Sequence, residues 1–264
     1  MQDKQSERDT RGVPIDKVGI KGLRYPILVL DLANRTQNTI ATINMYVDLP
    51  HHFKGTHMSR FIETINQHGR VIHVENIEEI VREIRQRLDA ERAHLEIEFP
   101  YFIEKKAPVT GSKGLVDYTG FFNANLKGKK SLDFVYGVTV AVTTLCPCSK
   151  AISARGAHNQ RGIVRVEVRT QRTVWLEELI QMVERSSSSE LYSLLKRKDE
   201  KFVTERAFDH PVFVEDLVRT VALRLKKDKR VLWYRVEAEN LESIHNHNAY
   251  AQVVSSDRPR PGKP

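Results

Sequence analysis

The chain has 264 residues, 40% hydrophobic and 29% charged, which is the balance of a globular protein with a sizeable buried core. Its formal net charge of +8 suits a polyanionic partner, but the basic residues are dispersed and no aromatic platform is interleaved with them, so a small polyanion is expected and nucleic acid is not. The longest apolar stretch, Tyr25–Leu30, contains Pro26 and is far too short to cross a bilayer, and the charged start MQDKQSERDTRG lacks the apolar segment of a secretory signal; no membrane association and a cytoplasmic location are expected.

Residues 1–20 are polar and predict a flexible segment. Strict alternation then predicts a strand over Thr39–Asp48, with Ala41, Ile43, Met45 and Val47 on one face. A short helix follows near Met58–Asn66. Ile77–Arg92 carries Ile77, Ile80, Val81, Ile84 and Leu88 at helical spacing behind Asn76 as N-cap. Alternation returns in Ala93–Tyr101, Phe134–Val142 and Gly162–Arg169, and again in Val231–Glu239. Helices are predicted near Val174–Arg185 and over Pro211–Lys227, where Pro211 suits a first turn. Half-solvated alternation of this kind argues for antiparallel sheet. The order strand, strand, helix, helix, strand, strand runs twice, before and after about residue 128, although the halves share no sequence identity. An internally duplicated α+β architecture follows, with units over 21–128 and 129–254. The tail, 255–264, holds three prolines and is expected to be disordered.

Four segments carry candidate chemistry. In Leu145–Gly162, Cys146, Cys148, Lys150, His158 and Arg161 lie between two regular strands, where a rigid sheet positions a loop. Only Pro147 separates the cysteines, so a disulfide between them would be strained and both thiols are expected free, as a reducing compartment allows. Thiol and imidazole together permit metal ligation or a thiolate–base pair, and the Cys-x11-His spacing fits an open site better than a closed structural one. Packing of both cysteines as small apolar fillers is the alternative. In Glu242–Tyr250, His245 and His247 fall on one side of an extended segment and are candidates for proton transfer or ligation. In Lys198–Asp216, Glu215 sits at the edge of a helical apolar stripe, from which a carboxylate can accept two hydrogen bonds from a guanine edge; favourable placement at a helix start explains it equally well. Glu200 and Glu205 are further carboxylates that spacing does not separate. In Lys54–Phe61, Gly55, Thr56, Ser59 and Arg60 suit phosphate binding or an ordinary helix cap.

GTHMSRF, LCPCSK followed by GAHNQR, DEKFVTE with FVED, and ESIHNHNAYA, in this order, resemble the signature stretches of type IB GTP cyclohydrolase I, and the resemblance runs from about Pro14 to about Val254. It implies the tunnelling fold, with two tandem units of antiparallel sheet plus helix pair per chain, assembled as a homotetramer with active sites at subunit interfaces. Carried over by residue, it implies Cys146, His158 and Glu200 as metal ligands, with Glu205 the other candidate for the carboxylate. It makes Glu215 the guanine anchor, His245 and His247 the histidines beside the reacting ring, and Cys148 a second active-site thiol. Zn2+ or Mn2+ is the expected cofactor, with Fe2+ also accepted by so mixed a ligand set.

The implied reaction is hydrolysis of GTP at guanine C8, with ring opening, formate release and reclosure to 7,8-dihydroneopterin triphosphate. This is the entry to tetrahydrofolate, and the product can also feed a queuosine-type tRNA base. Arg60, Lys150 and Arg161 are expected, on composition, to hold the triphosphate. The competing readings are another tunnelling-fold enzyme of pterins or deazapurines, and a basic nucleic-acid-binding protein.

Overall fold

A computed structural model of the chain describes residues 5, 7–68, 71–128 and 132–256. The expectation for the tail beyond 256 lies outside the described residues. Fourteen elements follow one another: β1 (Ile15–Asp31), β2 (Arg35–Leu49), α1 (Met58–Gln67), α2 (Ile77–Arg87), β3 (Arg92–Lys106), β4 (Lys113–Lys127), β5 (Asp133–Leu145), α3 (Pro147–Ile152), β6 (Asn159–Thr170), α4 (Leu176–Glu184), α5 (Arg197–Asp209), α6 (Val214–Lys227), β7 (Val231–Leu241) and β8 (Ala249–Val254). The eight strands are hydrogen-bonded neighbours in chain order in one sheet. The doubled strand and helix order expected from the sequence is present, with α3 and α5 added in its second round. The chain groups into two compact units: residues 1–100 with 121–135, and residues 101–120 with 136–264.

In the first unit, β1 and β2 pair antiparallel from Ile15 opposite Leu49 to Asp31 opposite Arg35. β1 begins inside the segment expected to be flexible, because the length of β2 gives it a partner back to Ile15. Ile43, Met45 and Val47 on β2 stand opposite Ile97, Leu95 and Ala93 on β3, and all six are buried. The alternation read from the sequence is therefore the core face. Phe61 and Ile65 of α1 and Ile77, Ile80, Val81 and Ile84 of α2 complete this core. α2 stops at Arg87 rather than Arg92. Asp89 takes a left-handed φ of 48°, and the Ala90 and Asp89 N–H groups donate to the Arg85 and Gln86 carbonyls, which closes the helix as a Schellman motif.

In the second unit, Val138 on β5, Val166 on β6 and Val236 on β7 lie in register, as do Val140, Val164 and Ala238, all with at most 1% exposure. Antiparallel β8 continues the sheet from Arg235 opposite Val254 to Asn240 opposite Ala249. The stripe Leu217, Val218, Val221 and Leu225 buries α6, which packs on β7, β8 and α4. α6 begins at Val214, with Phe213 extended as N-cap, so Pro211 precedes the helix. α5 was not visible as a helix because only Asp199 and Ala207 in it are buried.

The hairpin tip 101–120 belongs to this unit through polar contacts. Tyr101 donates to Glu177 at 2.6 Å, and Lys105 bridges Glu184 at 2.8 Å and Glu190 at 2.6 Å. The Val109 and Thr110 N–H groups each donate to the buried Asp199 at 2.9 Å.

Candidate active site

The site grows from the end of β5. The last residue of that strand, Leu145, is clamped on both sides: its N–H donates to the Ser188 hydroxyl at 3.0 Å, and its carbonyl accepts the Val212 N–H at 3.0 Å. The serine run 186–189 is buried and lies along Thr143, whose N–H donates to the Ser189 carbonyl at 2.8 Å. Cys146 is thereby delivered as the N-cap of α3, with Sγ accepting the Ser149 N–H at 3.4 Å and Pro147 in the first helical position.

The loop after α3 returns His158 to the same place. The Cys146 N–H donates to the His158 carbonyl at 3.1 Å, and the His158 N–H donates to the Ser149 hydroxyl at 3.2 Å. Thus the Cys-x11-His spacing is one closed loop, pinned at Cys146 and His158.

Cys146 and His158 line a pocket of about 280 Å³ together with Glu215, Glu242, His245 and His247, while Val212, Phe213 and Val214 give it an apolar wall. Glu215 stands in the first turn of α6. His245 and His247 come from the β7–β8 connection and stack with centroids 5.2 Å apart and ring planes 22° apart. The β7 strand ends at Leu241, so the next residue, Glu242, reaches the pocket, with its carboxylate 3.9 Å from His158 Nδ1. Sulfur, imidazole and carboxylate donors among the lining residues suit a divalent transition ion in character. At the floor, Asn240 is 3% exposed and its Oδ1 has no hydrogen-bond partner among the described residues. Gly162 opposite it has no Cβ, which would meet that oxygen at 2.9 Å.

The other expected site residues lie elsewhere. Glu200 is exposed on α5 and does not line the pocket; Glu205 is exposed as well, and pairs with Lys201 at 2.5 Å. Among the described residues, no three His, Cys, Asp or Glu side chains are gathered as a metal cluster, so the set Cys146, His158 and Glu200 is not assembled. Cys148 is exposed on α3, outside the pocket lining. Lys150 places its ammonium on the Phe208 carbonyl and over the Phe208 ring, 4.2 Å from the centroid. Arg161 is exposed on β6, where alternation turns it to the face opposite Gln160 and Gly162. Arg60, in the first unit, donates to the Arg87 carbonyl at 3.0 Å, and the Gly55 N–H is taken by the Gln5 carbonyl at 3.1 Å.

Sequence reasoning missed Gln160, Asn240, Glu242 and Ser188. Gln160 shares the parity of His158 along an extended strand, and Glu242 opens the segment that carries both histidines, so both had a readable cue. Asn240 and Ser188 had none, because their roles come from register and from a distant loop.

With fold and pocket defined, the protein is a tunnelling-fold chain that presents thiol, imidazole and carboxylate groups in one cleft. The fold is shared with the uricase from Arthrobacter globiformis, at TM-score 0.51 and 7% identity over 94% of this chain and 95% of that one. It is shared likewise with a highly active mutant of urate oxidase from Bacillus sp. TB-90, at TM-score 0.54 and 8% identity over 92% and 100%. In sequence, the family described as type I GTP cyclohydrolase folE2 matches residues 1–251. GTP cyclohydrolase FolE2 of Syntrophus aciditrophicus is 58% identical over 96% of this chain and 99% of its own length. That of Syntrophotalea carbinolica is 54% identical over 100% and 98%. The chain belongs to the type I GTP cyclohydrolase FolE2 family.

Proposed function

We propose that the pocket hydrolyses GTP at guanine C8 and releases formate, and that the opened product recloses to 7,8-dihydroneopterin triphosphate on the way to tetrahydrofolate. The observation that carries this reading is the convergence of Cys146, His158, Glu215, Glu242, His245 and His247, from three separate chain segments, on one pocket of a family member. Guanine offers a ring N–H and an amino group side by side, and Glu215, acceptor-only when ionised, matches that edge with two hydrogen bonds. This orients the base and leaves its five-membered ring toward the histidines. His245 and His247, stacked and exposed at the mouth, are the groups to move protons to and from the ring nitrogen as the C8–N bond breaks. The space is small beside the roughly 300–1,000 Å³ of ligand sites, so the triphosphate extends outside it. Arg60, Lys150 and Arg161 do not line this pocket; they are proposed to meet the triphosphate from a second copy of the chain in a homotetramer.

Cys146 and His158 would hold a divalent ion, Zn2+ or Mn2+, completed by a carboxylate that the family resemblance gives as Glu200, with Glu205 the other candidate. When bound, such an ion supplies Lewis-acid activation of water near neutral pH. The test is GTP turnover by the full chain after chelation and re-addition of Mn2+, Zn2+ or Fe2+. Formate and an oxidisable, fluorescent pterin in equal amounts are expected with at least one ion. GTP left intact under all of them would refute the reading.

A further inference from the structure

We propose that Gln160 is a positioning residue that fixes His158 in its Nδ1–H tautomer and turns the Nε2 lone pair into the pocket. The inference rests on the reading of His158 as a ligand, and it explains how that ligand is set. Gln160 is 8% exposed on β6, two residues beyond His158. Its Oε1 lies 3.0 Å from His158 Nδ1, and its Nε2 donates at 2.9 Å to Oγ1 of Thr144, a fully buried residue of β5.

The chain of donors decides the proton. With the amide nitrogen engaged by the hydroxyl, the amide oxygen faces the imidazole; an oxygen of this kind only accepts, so Nδ1 carries the hydrogen. The reversed arrangement, with the amide turned over and a bare Nδ1 accepting, aims a lone pair toward the Glu242 carboxylate 3.9 Å away. A proton on Nδ1 instead faces two oxygens, and electrostatics favours it. Nε2 is then free of hydrogen, as a ligand nitrogen must be. Outer partners of this type hold the ring plane as well as the tautomer, and their loss costs about 10–100-fold in metal affinity.

The test is read without GTP. The full chain, metal-free and labelled with 15N in histidine, is examined at about pH 8.5. Two-bond proton–nitrogen correlations report the His158 tautomer. The Nδ1–H form is expected in the wild type and in Gln160→Glu, which keeps the acceptor. Gln160→Leu should show a mixture with the Nε2–H form and an Mn2+ affinity lower by about 10–100-fold in calorimetry. An Nε2–H wild type overturns the proposal, as does a Gln160→Leu protein with unchanged tautomer or unchanged Mn2+ affinity. Should Gln160→Leu fail to fold, Gln160→Met, which likewise lacks the amide oxygen, is read by the same criterion. A protein that passes these tests yet leaves GTP intact would refute the cyclohydrolase reading alone.

Discussion

The two units join similar strands by very different connections. In the first, β1 passes to β2 through three residues, Leu32 to Asn34, under a single carboxylate: Asp31 accepts the Ala33 N–H at 2.8 Å and the Asn34 N–H at 2.7 Å. In the second, the step from β5 to β6 takes residues 146–158 and holds both Cys146 and His158. The step from β7 to β8 takes residues 242–248 and holds Glu242, His245 and His247. The buried strand faces of the two units are equivalent in character, so the sheet supplies rigidity and the longer connections at the strand ends carry the polar groups that line the pocket.

The largest effect is expected at Cys146. Cys146→Ala, which removes the proposed thiolate ligand, should reduce GTP turnover by more than about 100-fold, a larger loss than that of an outer partner, while the thermal unfolding midpoint stays near the wild-type value. Near-normal turnover would remove the thiol from the reaction. A smaller loss is expected for Glu215→Gln. Replacing the charged acceptor removes about 1.5–3 kcal/mol of hydrogen bonding, or about 10–100-fold in kcat/KM for GTP, with metal affinity unchanged. Equal kcat/KM in wild type and variant would detach Glu215 from the base.

The first unit should respond in stability alone. Asp31→Ala leaves two N–H groups without their acceptor and should cost about 1–3 kcal/mol in urea unfolding, with kcat retained. A fall in kcat without a fall in stability would contradict the division of labour. The smallest effect is one of pH. Burial raises the Asp199 carboxyl, but hydrogen bonds from the Thr110 hydroxyl and from the Thr110, Lys196 and Val109 N–H groups outweigh it and hold the group below the usual carboxylate range. A depressed folded pKa means that its stabilisation is complete above about pH 4 and is lost as the pH falls further. Asp199→Asn should therefore flatten the acid limb of the stability profile, and an unchanged limb would refute this assignment.

Much of this was legible in the sequence, for reasons that differ by element. Ala41 to Val47 and Val164 to Val168 declared their strands because one face is wholly buried. α2 declared its stripe but not its end, since Asp89 is not the glycine that usually marks a left-handed stop. α5 gave no stripe to read. Within the site, Cys146, His158, Glu215, His245 and His247 were found by their motifs, and the structure brings them to one pocket. Glu242 was passed over beside two histidines, and Gln160 was read only as part of GAHNQR. Their parts depend on what β5 and β7 place beside them, and single-chain spacing does not encode that. Glu200 came from resemblance alone, and on α5 it stays away from the pocket lining.

We propose that a thiolate and an imidazole at the ends of β5 and β6 hold a divalent ion beside a bound guanine. The most direct test is anomalous diffraction from crystals of the full chain grown with Mn2+ and a GTP analogue blocked at C8. One Mn2+ peak is expected at coordination distance from Cys146 Sγ and His158 Nε2, with the guanine edge on Glu215. A peak bound by other residues, or a base seated outside this pocket, would contradict this proposal.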